Sequence, residues 1–259
     1  QSLFSELDNI NMKSINAIKI IEKVKQKTNI DSLTPWYNEK TLNELFFIKG
    51  IIDDFVVPKY KIIFLTIFLN IAKNARAQNR TWGYIADNVL PTQKQLKENK
   101  YSAIPSYITR FRQIVGRVDR IILASQKGTY KIAVRDARNY CLSDKADLVI
   151  TSPPYPNMAD YTTSQRLDYY WLNHNIADIN EDKKEEIGAR YRRKNTNSGD
   201  HYSLNLKLSF DNILANTRKN GIIAIILPKY EDTDSRCNLI GDFYRFMKDK
   251  TDILYMINR

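Results

Sequence analysis

Four consecutive residues, Ser152, Pro153, Pro154 and Tyr155, carry the chemistry that this sequence supports best. They follow an apolar run of strand-forming residues, ADLVIT, at 146–151. In an open α/β sheet, ligands bind beyond the carboxyl ends of the strands. The two prolines remove two backbone N–H donors and stiffen φ, so neighbouring carbonyls project as fixed acceptors. A serine hydroxyl, a rigid proline carbonyl and an aromatic ring make a clamp for a flat base bearing an exocyclic amine. The acceptors hold the NH₂ and the ring stacks on the base face. Such a clamp would aim the nitrogen lone pair at an electrophile, which is catalysis by positioning rather than by proton transfer. Two plainer readings use the same residues: a stiff loop that only ends a strand, and a polyproline recognition tag. A free tag would lie in a polar stretch, whereas this tetrapeptide follows an apolar strand.

Composition excludes most competing chemistries. The 259 residues hold eight glycines, at 50, 83, 116, 128, 188, 199, 221 and 241, with no two close together. There is no GxG, GxGxxG or GxxxxGK[ST], hence no Gly-rich phosphate or dinucleotide loop within them. Cys141, Cys237, His174 and His201 are too scattered for a structural zinc site, and no metal is expected. The two histidines read as ordinary polar residues. The longest apolar run, Ile62 to Ile71, is broken by Thr66 and Asn70. It is shorter than the ~20 residues a membrane span needs, so no membrane partner is expected. Two cysteines without CxxC spacing, and no visible leader, point to a reduced, cytoplasmic setting. Forty Lys+Arg against 29 Asp+Glu give a net charge of +11. That balance favours a polyanion, most simply nucleic acid, although a lysine-rich, AT-biased proteome produces it too.

The elements that must position the tetrapeptide form two textures. Ile15, Ile18, Ile21 and Val24 have helical spacing, as do Leu42, Leu45, Phe46 and Ile52 over 39–57. Residues 59–77 are apolar nearly all round, which predicts a helix buried between others. RTWGYIADNVLP (80–91) reads as a loop, and 107–125 as another long helix. After Gly128 the pattern alternates strand and helix: strands at 129–134, 146–151 and 222–227, with a final one at about 252–257. Helices are expected at about 161–172, 203–219 and 238–249. Asn220-Gly221 would cap the second of these, and IIAIIL (222–227) would be buried on both faces of a parallel sheet. The fold class is therefore α/β with a mainly parallel sheet.

Read together, these segments resemble the amino-group DNA methyltransferases, which use S-adenosylmethionine to methylate cytosine N4 or adenine N6. The resemblance runs from Val134 to Leu172 (VRDARNYCLSDKADLVITSPPYPNMADYTTSQRLDYYWL), through EEIGARYRR (185–193), to RKNGIIAIILPKYEDTD (218–234). RTWGYIADNVLP and LTPWYNEKTLNEL (33–45) are similar to the helical insertion of one branch of the family. The resemblance implies that Ser152 and the Pro153 carbonyl accept hydrogen bonds from the target amine. It implies that Pro154 fixes the loop and that Tyr155 stacks on a base flipped out of double-stranded DNA. Asp136 would approach the adenine end of the cofactor; its plain alternative is a turn-forming aspartate. Arg190, Arg192, Arg193 and Lys194 would contact DNA phosphates, or simply form a solvated basic surface.

One family feature is missing: the Phe-x-Gly-x-Gly cofactor loop after the first strand. If the chain starts just past that loop, residues 12–16 (MKSIN) would be the second strand. Ser14 then stands where an acidic ribose-binding residue is expected, and Asn16 where the family has an asparagine; Glu6 or Asp8 could be that acid in another register. The expected fold is a class I methyltransferase-like sheet, incomplete at both ends, with a large α-helical insertion. Residues 1–29 would be a remnant of the cofactor-binding part, 30–127 the helical insertion and possible target-recognition region, and 128–259 the catalytic α/β part. The implied function is site-specific DNA methylation, with serine at the first motif position favouring cytosine N4 over adenine N6, in a restriction–modification or phage-defence setting. The Gly-rich loop would come from a second chain or a missing segment. The alternatives are a DNA-binding or specificity subunit without catalysis, and an RNA or protein amine methyltransferase.

Overall fold

Side chains that satisfy orphan backbone N–H groups start the helices of the N-terminal half. The computed structural model describes residues 14–78, 89–124, 128–155, 160–174, 176–189, 198–227, 231–232 and 237–252. Ser14 Oγ accepts from Ala17 N at 3.2 Å and caps α1 (Ile15–Lys25). Residues 14–16, expected as the end of a strand, are thus the cap and first turn of a helix. A serine cap and the helical spacing of Ala17, Ile21 and Val24 outweigh the short β-like run. Asn29 caps the short α2 (Ile30–Leu33), which leads through a 3₁₀ turn, Thr34–Trp36. Asn38 Oδ1 accepts from Thr41 N at 2.8 Å and caps α3 (Glu39–Phe55). Pro58, with its pre-set φ, opens α4 (Pro58–Asn74). Thr92 and Gln95 form a reciprocal capping box on α5 (Gln93–Glu98). For α6 (Ala103–Ala124) the cap comes from another helix: the buried Glu44 carboxylate of α3 accepts from Ala103 N at 2.5 Å and from Ser102 Oγ at 3.2 Å.

The chain forms two compact units, Gln1–Thr129 with Thr162–Asp182, and Tyr130–Tyr161 with Lys183–Arg259. In the first, Ala17, Ile21 and Val24 bury one face of α1 against α3. Gly50 of α3 permits this approach, because a Cβ there would collide with Ile20. Leu45, Phe46 and Ile52 of α3, Ile67, Phe68 and Ile71 of α4, and Tyr107 and Ile108 of α6 complete the core. Helix α4 is not buried all round as expected: Ile62 and Ile63 are exposed, since α3 and α6 cover only part of it.

The expected helix over 161–172 is two short pieces, α7 (Tyr161–Ser164) and α8 (Arg166–Trp171), followed by α9 (Ile176–Glu185). Trp171 of α8 belongs to the helical core. It is 1% exposed, and its ring lies 5.0 Å from Phe68, 5.4 Å from Phe46 and 6.2 Å from Tyr37. Its Nε1 donates to Tyr37 Oη at 3.3 Å, and Tyr37 Oη donates to the Ala72 carbonyl at 3.0 Å. Burial with no nearby cation strong enough to offset it pushes the Tyr37 hydroxyl pKa well above its ordinary value.

In the second unit β1 (Ala146–Thr151) pairs in parallel with β2 (Thr217–Ile225). The register sets Leu148 beside Ile222, Val149 beside Ile223, Ile150 beside Ala224 and Thr151 beside Ile225. Helix α10 (Ser198–Ala215) ends before β2, so the expected Asn220-Gly221 helix cap is instead an irregularity inside the strand. Asn220 has φ +68°, and a Cβ on Gly221 would sit 3.0 Å from the Arg218 carbonyl oxygen and 3.2 Å from that of Ala146. The close backbone is what demands glycine there. Glu231–Asp232 (β3) and Cys237–Asn238 (β4) form a small antiparallel pair ahead of α11 (Leu239–Met247).

One face of the β1–β2 sheet is covered and the other is open. Val149, Ile223 and Ile225 pack on Tyr202, Leu206, Phe210 and Ile213 of α10 and Met247 of α11. Leu148, Ile150, Ile222 and Ile226 point the other way and are 54–70% exposed. IIAIIL is therefore not buried on both faces as expected. The run 129–134 is not assigned to a strand either, and Tyr130, Ile132 and Val134 are nearly fully exposed. A strand is defined by a ladder partner as much as by its pattern, and this run has none among the described residues. All but the first residue of the final strand expected at 252–257, and most of the loop at 80–91, lie outside the described residues. Among the described residues no helix is long and apolar enough to cross a membrane. The architecture is thus mixed α/β, with a two-stranded parallel sheet.

Candidate functional site

Strand β1 delivers the tetrapeptide. The Thr151 carbonyl accepts from Ile226 N at 3.0 Å, so the ladder with β2 runs to the last residue before Ser152. Upstream, the buried Asn216 at the end of α10 sets the strand's entry. Its Oδ1 accepts from Leu142 N at 2.7 Å, its Nδ2 donates to the Tyr140 carbonyl at 3.2 Å, and its own carbonyl accepts from Ala146 N at 2.8 Å.

Within the tetrapeptide Ser152 is exposed, Pro153 is buried, and Pro154 and Tyr155 are half-buried. Ser152 Oγ and Tyr155 Oη are 2.8 Å apart and share a hydrogen bond. The Pro154 carbonyl accepts from Tyr202 Oη of α10 at 2.9 Å, and Tyr202 is buried in the core under the sheet. The Pro153 carbonyl accepts from no described residue. The loop is thus closed by its own two hydroxyls and pinned to α10 at its third residue. When Ser152 donates its proton to Tyr155, the lone pairs of Ser152 Oγ stay free to accept. Oγ and the Pro153 carbonyl are then two neighbouring acceptors with no described donor.

Comparison of the chain with family models, with curated proteins and with solved structures finds no match. The site therefore stands on its own geometry.

Asp136 lies in a turn. Its backbone carbonyl accepts from Tyr140 N at 3.1 Å, and its carboxylate accepts from Arg138 N at 2.9 Å, Nε at 2.9 Å and Nη2 at 2.7 Å. The side-chain hydrogen bonds of Arg138, followed by its backbone N–H, hold this carboxyl below the usual carboxylate range. Arg138 extends the network to Glu185 Oε2 at 2.6 Å and Asn205 Oδ1 at 2.8 Å. Both carboxylate oxygens of Asp136 are engaged, as its plain turn-forming reading requires. Ser14 spends its hydroxyl on capping α1, and Asn16 is exposed in that helix's first turn. Of the residues assigned to S-adenosylmethionine, Ser14 and Asp136 thus already make local backbone and ion-pair contacts. Arg190, Arg192, Arg193 and Lys194 lie outside the described residues. His174 lies 3.7 Å from Asp178, and His201 lies beside Asn205.

Sequence reasoning missed Tyr202, Asn216 and Arg138. The first two act on segments 48 and 74 residues away, and nothing in local spacing signals such contacts. Arg138 had a local signal, because Asp-x-Arg places a guanidinium within reach of the carboxylate two residues back.

Proposed function

We propose that this chain is the amine-binding part of an S-adenosylmethionine-dependent DNA methyltransferase, with cytosine N4 preferred over adenine N6. The observation that carries the reading is the loop after β1: Ser152 and Tyr155 joined at 2.8 Å, the Pro154 carbonyl tied down and the Pro153 carbonyl left open. This supports a pair of acceptors for an exocyclic NH₂ beside an aromatic ring for the base face. The substrate is double-stranded DNA with the target base flipped out, since a stacked amine cannot enter such a loop. The preference for cytosine rests on the serine at position 152, and the setting is a cytoplasmic restriction–modification or phage-defence system. The cofactor, when bound, supplies an electrophilic methyl group. This chain's own residues hold the amine, orient its lone pair and stack the ring.

The Gly-rich cofactor loop comes from residues beyond these 259, on a further segment or a second polypeptide. Two features support that part of the proposal. No closely spaced glycines occur anywhere in the sequence, and the outer face of the β1–β2 sheet exposes Leu148, Ile150, Ile222 and Ile226. Contiguous exposed apolar surface of this kind is commonly an interaction surface.

A second reading, a DNA-binding or specificity subunit without catalysis, is favoured by the full engagement of Asp136 with Arg138. Titration calorimetry with S-adenosylmethionine separates the two. The chain is titrated alone and together with the product of the neighbouring reading frame. Heat of binding with the pair, joined to methyl transfer into DNA, supports the enzyme. DNA binding without cofactor binding or transfer in either case supports the subunit.

A further inference from the structure

We propose that Tyr202 is a positioning residue for the Ser152–Tyr155 loop and that its hydroxyl decides which carbonyl receives the target amine. The proposal rests on the amine-clamp reading above. Two proline carbonyls flank each other in the loop, and an amine has two hydrogens to place. Tyr202 Oη donates to the Pro154 carbonyl at 2.9 Å, which leaves the Pro153 carbonyl without a donor among the described residues. Ser152 Oγ, paired at 2.8 Å with Tyr155 Oη, is the second acceptor. The Tyr202 ring is anchored with Leu206, Phe210 and Ile213 on α10, so its hydroxyl stands on a packed helix rather than on a loop. Prolines have no N–H with which to tie the loop to its surroundings, so the tie falls to a donor from elsewhere. Without it the peptide after Pro154 is free to turn, Tyr155 moves with it, and the Ser152–Tyr155 bond is lost. Tyr202 touches no reacting atom. It acts through the backbone of the loop.

The test uses the full chain and needs neither cofactor nor partner. Binding is measured to single-stranded oligomers in which the exocyclic amine is exchanged for an oxo group and the adjacent ring nitrogen gains a proton: deoxycytidine against deoxyuridine, and deoxyadenosine against deoxyinosine. The natural chain is expected to prefer an amine-bearing oligomer by about tenfold, the scale of one or two hydrogen bonds that the oxo analogue cannot donate. Tyr202→Phe keeps the ring in the core and removes only the hydroxyl. It is expected to abolish that preference while leaving affinity for the oxo oligomers, and the melting temperature, close to those of the natural chain. Tyr155→Phe, which keeps the stacking ring, is expected to do the same. A natural chain with no amine preference overturns the clamp reading and this inference with it. A natural chain with the preference and a Tyr202→Phe variant that retains it in full overturns the role of Tyr202 alone.

Discussion

At the scale of residues, the groups that the proposed function offers to an amine differ from groups already consumed by the fold. Ser152 Oγ and the Pro153 carbonyl belong to the first set. Asp136 belongs to the second, with both carboxylate oxygens held by Arg138. Its depressed pKa has a definite consequence for stability. A carboxyl whose folded pKa lies below its unfolded value stabilises the fold above the ordinary value of about 3.9. That stability is lost as pH falls through the lower folded value. Asp136→Asn is therefore expected to reduce stability near neutral pH and to remove part of the acid-side loss. Thermal melts from pH 7 down to pH 3 check this, and identical curves for the two proteins contradict it. The group is partly exposed, so the effect is modest. The loop itself was legible from the sequence because its residues are adjacent and follow a strand. Tyr202 was not, because a tyrosine on the apolar stripe of a helix looks like any core tyrosine until its hydroxyl is seen to reach across.

At the scale of elements, legibility followed local signals. Strand β1 occupies residues 146–151, the stretch that the β-branched run and the double proline mark out. Helices α3, α4 and α6 follow from apolar spacing, but α6 starts at Ala103, ahead of the expected residue 107, because the distant Glu44 of α3 caps it. What failed depended on partners. The run 129–134 has strand composition but no ladder among the described residues, and Gly221 serves a strand irregularity rather than a helix end. The α7–α8 segment, expected to continue the catalytic part, instead places Trp171 in the helical core against Phe46 and Phe68. Trp171→Ala removes a fully buried indole, and the cost for such a truncation is about 3–5 kcal/mol. Urea unfolding followed by far-ultraviolet dichroism should show an early loss of helix in the variant. An unchanged transition would contradict the assignment of this segment to the helical unit.

At the scale of the whole molecule, charge and open surface bear on the proposed partners. A net charge of +11 favours a polyanion without specifying where it sits. Binding to duplex DNA is expected to weaken at least about tenfold between 50 and 200 mM salt, as counterion release at several phosphates requires. Affinity that is flat across that range would remove DNA as the partner. In the proposed function, the open apolar face of the β1–β2 sheet and the scarcity of glycine are the two features that support a cofactor loop carried outside these 259 residues. The claim on which everything else depends is the proposed one that Ser152 and the Pro153 carbonyl hold the amine while Tyr155 stacks on the base. It is tested most directly by incubating the chain and its neighbouring gene product with DNA and methyl-labelled S-adenosylmethionine, then identifying the labelled nucleoside. The account predicts label in N4-methylcytosine, and its loss by at least about a hundredfold in Ser152→Ala and Tyr155→Ala, the scale of a misplaced reacting group. Full activity in both variants would contradict it.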